Sequence, residues 1–206
     1  MILSLLKLDL TSPSVRQSLK DCQDMHRNIM KAFDSARNDA KVLYRVLRSK
    51  ENIRIYVQSM AEPHWERIEN NGFICEKMKD ISKLSDSFRE GQVLSFDILG
   101  CPSKKVAGEG KNSKRVILRE KEAQIGWIKR EGEKNGFIIL DAFVYGKTEI
   151  LCGKRDTGTF QIAGLVFQGT LKITDPVSFQ KGFMNGIGPE KAYGFGMMMV
   201  KRYNEY

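Results

Sequence analysis

The residues with the clearest chemical potential lie near the end of the chain, in Gly186-Ile187-Gly188-Pro189-Glu190-Lys191-Ala192-Tyr193-Gly194-Phe195-Gly196. Four glycines and a proline in eleven positions suit neither a helix nor a buried strand. Glycine lets the main chain take φ > 0 and lets a bulky group come close to it. A tight loop of this kind turns several N–H groups outward, and such concavities hold anions, phosphate above all. Lys191 adds a point charge in the same place. The plainer reading of the same residues is a glycine closing a helix, followed by a hairpin-like turn.

Common phosphate loops do not fit. A dinucleotide fingerprint needs glycines at its first, third and sixth positions between a strand and a helix, and the sixth position here is Lys191. Gly108-Glu109-Gly110-Lys111-Asn112 lacks the earlier glycine and the Ser or Thr of a Walker loop. A nucleotide-hydrolysing site is therefore not expected. With only two histidines, His26 and His64, a multi-histidine metal centre is nearly excluded, so hydrolytic chemistry is expected without metal or other cofactor. Cys22, Cys75, Cys101 and Cys152 are scattered with no C-x-x-C, which argues against a zinc site or disulfide framework and for a reducing cytoplasm.

The run G-ϕ-G-P-x-K-A-x-G-x-G before a final apolar strand resembles the glycine-rich loop of CRISPR-associated RNA-processing proteins. The likeness is to the CasE family, the crRNA endoribonuclease of the type I-E Cascade complex. A second segment agrees with it: Met25-His26-Arg27, with Lys31 five residues after the histidine, looks like the family's catalytic segment. The two motifs stand in the family's order, and the resemblance covers essentially the whole chain. It implies two tandem ferredoxin-like domains, a CRISPR repeat-RNA hairpin as substrate, retention of the mature crRNA, and membership of a complex with other Cascade subunits.

RNA carries its own nucleophile. Removing the 2′-OH proton lets that oxygen attack the adjacent phosphorus, giving a 2′,3′-cyclic phosphate and a 5′-OH end. The reaction needs a base, an acid for the leaving oxygen and positive charge on the phosphorane. Histidine suits the proton work, since its unperturbed pKa of about 6.5 lies near working pH, and lysine suits the charge. The resemblance assigns these roles to His26 and Lys31. Some family members carry a tyrosine three residues before the histidine. Gln23 holds that position here; it can hydrogen-bond but cannot act as acid or base, which leaves the second proton-transfer group unassigned. Residues five apart lie about 140° apart on a helix, so one phosphate is in reach of both only if His26 lies at the helix start or the lysine curls round. His64 has no motif around it and reads as structural or surface.

The bulk properties fit such a partner. The chain has 206 residues, with 34 Lys and Arg against 25 Asp and Glu, a net charge of +9 that favours a polyanion. No apolar run approaches the roughly 18 residues of a membrane span. Lys154-Arg155-Asp156-Thr157-Gly158 reads as the tip of a β-hairpin. The resemblance places a basic hairpin there, entering the widened major groove of the RNA stem, with Arg155 suited to a bidentate contact. Lys104 and Lys105 are expected on the RNA backbone, and Gly186, Gly188, Lys191, Gly194 and Gly196 at the RNA as the glycine-rich loop.

These residues must be positioned by an α+β fold. Met1–Leu10 reads as a buried strand, stopped by Thr11-Ser12-Pro13 with Ser12 as N-cap and Pro13 at the first helical position. A helical region then runs to about Ala40, with a break near Asp21 and a core stripe of Met25, Ile29 and Phe33. Val42–Leu47 and Ile53–Ser59 read as strands joined by a polar loop at Arg48–Asn52. Glu62–Asn70 is expected as a short helix and Gly72–Lys77 as a strand, which completes βαββαβ. The polar stretch Asp80–Gly91 separates a first domain over 1–85 from a second over 91–206. There a strand around Leu94, Phe96 and Ile98 precedes a basic, exposed loop at Cys101–Arg119. Glu120–Lys134 reads as a helix, Phe137–Asp175 as β-rich, Asp175–Gly186 as a helix and Phe195–Tyr203 as the last strand. The alternative function is a catalytically inactive crRNA-binding subunit of the same fold, which Gln23 favours. A general RRM-type module would need an aromatic RNP1 pattern, and none is found.

Overall fold

The computed structural model describes residues 1–49, 52–107 and 113–203. The chain opens with β1 (Ile2–Leu8). Ser12, in extended conformation, then caps α1 (Pro13–Lys20) through its hydroxyl, and Pro13 fills the first helical position. Asp21 also takes extended geometry, ending α1 and capping α2 (Cys22–Met30). Its carboxylate accepts the backbone N–H groups of Gln23 (2.9 Å) and Asp24 (3.3 Å). The expected break at Asp21 is thus a full helix boundary.

The helical region does not continue to Ala40. The Ala32 carbonyl accepts the N–H of His64 (2.7 Å), a tertiary bond in place of the next helical one. Only the single turn α3 (Arg37–Ala40) follows. Strands β2 (Leu43–Arg48) and β3 (Ile53–Ser59) pair antiparallel. The loop expected between them includes Lys50 and Glu51, outside the described residues. Helix α4 (Glu66–Glu69) is shorter than the expected Glu62–Asn70: Pro63 holds Glu62 out of helical geometry, and the His64 N–H is drawn to the Ala32 carbonyl. Strand β4 (Phe73–Asp80) and the turn α5 (Ser82–Ser85) end this half.

The second half holds β5 (Val93–Gly100), β6 (Ser103–Ala107), β7 (Ser113–Ile117), α6 (Lys121–Lys134), β8 (Phe137–Arg155), β9 (Gly158–Ile173), α7 (Pro176–Asn185) and β10 (Met198–Arg202). The basic stretch expected as a loop is instead a hairpin: β6 and β7 pair antiparallel, with Lys104 opposite Val116 and Lys105 opposite Arg115. Val106, Val116 and Ile117 are β-branched, and pairing satisfies backbone groups that a loop would leave to water. Residues 108–112, including the Gly-Glu-Gly-Lys-Asn stretch, lie outside the described residues.

The two main sheets have the orders β2-β3-β1-β4 and β10-β5-β9-β8, with antiparallel neighbours throughout. Set in chain order, each is second-third-first-fourth or its reverse, the ferredoxin-like arrangement, with the β6–β7 hairpin inserted after the first strand of the second unit. The two-domain α+β fold expected from the sequence is therefore present. Each helical layer packs its apolar stripe on one sheet. Val15, Met25, Ile29 and Phe33 meet Leu6, Ile55 and Phe73 in the first core. Trp127, Ile128, Phe179 and Phe183 meet Phe96, Ile98, Phe137 and Phe167 in the second. Each such side chain contributes about 1.5–3 kcal/mol by burial.

The halves are joined by polar contacts as well as by packing. Gln58 donates through Nε2 to the Phe183 carbonyl (2.9 Å), and the Tyr44 hydroxyl donates to the Ala192 carbonyl (3.0 Å). Arg45 on β2 and Asp97 on β5 form an ion pair at 3.2 Å. A third small core of Cys22, Leu99, Cys101, Ile162, Val166, Tyr193 and Phe195 lies where α2, the long hairpin and the glycine-rich segment meet.

Candidate active site

The site forms at that junction. Helix α2 turns Met25 and Ile29 into the core, both buried, and leaves His26 half-buried on its flank. The imidazole meets the Tyr193 ring edge-on, with centroids 6.3 Å apart. Burial, and secondarily the Arg37 charge, hold the His26 pKa below the usual 6.5. The imidazole is therefore neutral at pH 7 and able to take a proton.

Tyr193 enters the site on the glycine-rich segment. The chain leaves α7 at Gly186 (φ 78°), which closes that helix, and returns through Gly196 (φ 79°). The Ile187 N–H donates to the Gly196 carbonyl (2.9 Å), and the Gly196 N–H donates to the Leu99 carbonyl (2.9 Å). A Cβ at Gly196 would lie 2.6 Å from the Ile187 carbonyl oxygen, and one at Gly194 (φ 88°) 3.0 Å from the Tyr44 ring. Both the left-handed backbone and the close packing require glycine at these two positions. Lys191–Tyr193 form a 3-10 turn that ends at Gly194, so the loop carries Lys191 and Tyr193 to the mouth of the site.

Tyr193 joins two sequence-predicted residues. Its hydroxyl donates to Gln23 Oε1 (2.8 Å) and accepts from Arg155 Nη2 (2.7 Å). The Arg155 guanidinium also lies over the Phe160 ring, 4.3 Å from its centroid. Arg155 thus leans inward from the tip of the β8–β9 hairpin, where Asp156 and Thr157 make a two-residue turn. The neighbouring Lys154 N–H donates to Asp21 Oδ1 (3.3 Å), which ties the hairpin to the cap of α2. Beside them an open cleft of about 710 Å³ is lined by Gln23, Asp24, Arg27, Lys154 and Arg155 among others.

Lys191 is half-buried, and burial together with the charges of Arg37 and Lys41 lowers its pKa. Arg37, itself desolvated, donates to the Val42 carbonyl (3.2 Å). Cations gathered in this way favour a bound anion, because an anion would relieve their repulsion. The arrangement offers a neutral imidazole, a phenol and clustered positive charge, the set a phosphoryl-centred reaction uses.

Lys31 closes α2. His26 is the fifth residue of that helix rather than its start, and Lys31 follows at the C-cap in helical geometry. The two side chains stand about 140° apart with exposed Arg27 between them. Lys31 Nζ donates to Asn28 Oδ1 (2.8 Å), and Asn28 continues through Ser18 and Asp24. Lys104 and Lys105 are exposed on β6. His64 is half-exposed between Asp34 and Glu66 at 3.3 Å from each.

Among the described residues no group of three or more His, Cys, Asp and Glu is placed to hold a metal ion, and no helix is long and apolar enough to cross a membrane. The four cysteines are free. Sequence reasoning missed Tyr193, Arg37 and Phe160. Tyr193 stands inside the quoted motif, so its hydroxyl was visible. Arg37 and Phe160 reach the site only through tertiary packing.

A model of CRISPR-associated proteins matches residues 1–202. The chain belongs to this family. The CRISPR-associated endoribonuclease Cse3 of Thermus thermophilus is 27% identical over 215 residues, covering 97% of this chain and 99% of that protein. A structure of Thermus thermophilus Cse3 bound to an RNA representing a pre-cleavage complex has a TM-score of 0.85 at 27% identity, covering 97% and 98% of the two chains. Another, of Cse3 bound to 19 nt RNA, has a TM-score of 0.86 at 25% identity over 98% and 100%. Cas6e from Escherichia coli K-12 shares the fold, with a TM-score of 0.75 at 21% identity over 98% and 100%. The CasE-type resemblance read from two short motifs thus extends along the whole CRISPR-associated chain.

Proposed function

We propose that this protein is a metal-independent endoribonuclease that cleaves CRISPR repeat RNA beside a stem-loop. It acts by 2′-OH attack, leaves 2′,3′-cyclic phosphate and 5′-OH ends, and retains the mature crRNA. The observation that carries this reading is His26, half-buried with a depressed pKa, facing Tyr193 beside a cluster of Arg37, Lys41 and Lys191. The neutral imidazole removes the 2′ proton. The cations stabilise the phosphorane, and exposed Arg27 and Lys31 extend the positive charge along α2.

The first domain, 1–85, carries the catalytic segment. The second, 91–206, carries the glycine-rich loop, the long hairpin and the basic hairpin with Lys104 and Lys105. Gly186, Gly188, Gly194 and Gly196 let the loop approach RNA closely, and Lys191 meets its phosphate. Lys154 and Arg155 address the stem. Relatives bind RNA, and related chains occur in a CRISPR RNA-guided surveillance complex, which supports crRNA and Cascade subunits as partners. Scattered free cysteines support a cytoplasmic site of action.

The test is cleavage of the cognate repeat RNA by purified protein in excess EDTA, beside His26→Ala. A single cut by the wild type, lost in the variant while binding survives, is the expected result. Tight binding with no cut by either protein would leave an RNA-holding subunit instead.

A further inference from the structure

We propose that Tyr193 is the second proton-transfer group of the cleavage, the acid that protonates the leaving 5′ oxygen, and that Arg155 stabilises the phenolate so formed. This rests on the endoribonuclease reading above. Gln23 occupies the position on α2 one turn before His26, and its amide neither gives nor takes a proton. The hydroxyl bonded to that amide does. The Tyr193 O–H donates to Gln23 Oε1 at 2.8 Å, with its ring edge-on to His26. An acid and a base thus stand side by side, one from the glycine-rich loop and one from the helix.

Arg155 completes the unit. Its Nη2 donates to the same oxygen at 2.7 Å, and the guanidinium lies over the Phe160 ring, 4.3 Å from its centroid. A fixed cation already hydrogen-bonded to the phenol oxygen is placed for the charge that appears when the proton leaves. The cleft is lined by Gln23 and Arg155, the two residues bonded to the Tyr193 hydroxyl, and so opens beside that hydroxyl.

The step balances. His26 takes the 2′-OH proton, and the 2′ oxygen forms its bond to phosphorus. The phosphorus–5′ oxygen bond breaks with its electron pair on oxygen, and Tyr193 supplies the proton that makes the 5′-OH. Water later reprotonates the phenolate and accepts the imidazolium proton. Tyr193→Phe removes one oxygen and tests the role directly.

Two RNAs separate acid catalysis from positioning: the cognate repeat RNA, and the same RNA with sulfur in place of the bridging 5′ oxygen. A thiolate leaves without protonation. Tyr193→Phe should cut the ordinary RNA about 10²-fold more slowly in single-turnover assays and the sulfur-bridged RNA nearly as fast as wild type, with RNA affinity unchanged. His26→Ala should fail on both. Equal losses on the two RNAs, or no loss on either, would overturn the assignment. A wild type that binds without cutting would overturn the endoribonuclease reading and this step with it.

Should Tyr193→Phe not fold, a fluorinated tyrosine at 193 keeps every contact with His26, Gln23 and Arg155 and acidifies the phenol. The alkaline limb of the pH–rate profile should move to lower pH, and an unmoved limb would overturn the role.

Discussion

Asp97→Ala should destabilise the protein more than Arg45→Met, although both break one ion pair between the two sheets. The Arg45 side chain is only 4% exposed, whereas Asp97 is 25% exposed. Burial lowers the Arg45 pKa, and the Asp97 charge opposes that shift. The pair is close but imperfect. Arg45 Nη1 and Asp97 Oδ1 lie 3.2 Å apart without hydrogen-bond alignment, and Arg45 Nε has no partner among the described residues.

Removing Asp97 leaves the buried guanidinium with only the weaker pull of the Glu149 carboxylate. Such losses cost about 3–5 kcal/mol, and the poor alignment argues for the lower end. Arg45→Met replaces the buried charge with apolar volume. The orphaned carboxylate is a quarter exposed and keeps the bond from Gln168 Nε2 to its Oδ2 (2.6 Å), but its Oδ1 is buried without a partner, so the cost should be about 1–2 kcal/mol. Urea unfolding reads both, with Trp65 reporting the first core and Trp127 the second. At an m-value of about 2 kcal/mol/M, a loss of 3 kcal/mol lowers the midpoint by about 1.5 M. Equal midpoints for the two variants, or a larger loss for Arg45→Met, would refute the burial argument.

Gly196→Ala should destabilise more than Gly91→Ala, though both glycines have φ near 80°. Gly91 has open space where the Cβ would go, so its cost is the backbone term of about 1–2 kcal/mol, whereas Gly196 adds a clash with the Ile187 carbonyl. Thermal melting should rank them in that order. The cleavage rate should rise with pH along an acid limb that lies below 6.5, ahead of the alkaline limb set by the acid, because burial disfavours the imidazolium and only neutral His26 accepts a proton. A pH–rate profile with the acid limb above 7 would contradict this. The same shift makes the fold bind the His26 proton less well than the unfolded chain, so this group's contribution to stability is present above pH 6.5 and falls as pH drops through the folded pKa. Cysteine-directed alkylation should reach exposed Cys152 before Cys22 and Cys101, whose thiols are buried and pushed up to about 11. Mass spectrometry of the partly labelled protein would show the order.

Much of the fold was legible because its signals are local. Ser12-Pro13 and Asp175-Pro176 mark helix starts by cap chemistry, and alternation in Ile53–Ser59 marks a half-buried strand. The early end of the helical region was not legible, since it depends on the His64 N–H reaching the Ala32 carbonyl from distant chain. Nor was the basic β6–β7 hairpin, whose Lys and Arg content hid a short β-branched pairing. At the site, His26 and the glycine-rich loop stood out by residue type. Their meeting did not, because the contact joins α2 to a segment some 170 residues later and is made by a tyrosine. Lys31 shows a different case: its spacing matches the motif, and its ammonium is held by Asn28 at the C-cap of α2, a contact that the spacing alone did not reveal.

The central claim is that the RNA's own 2′-OH is the nucleophile and His26 its base. The most direct measurement uses repeat RNA carrying a single 2′-deoxy nucleotide on the 5′ side of the cut. The wild-type protein should bind this RNA as tightly as the natural one and leave it intact. Cleavage of the deoxy RNA at the same position and rate would contradict the account.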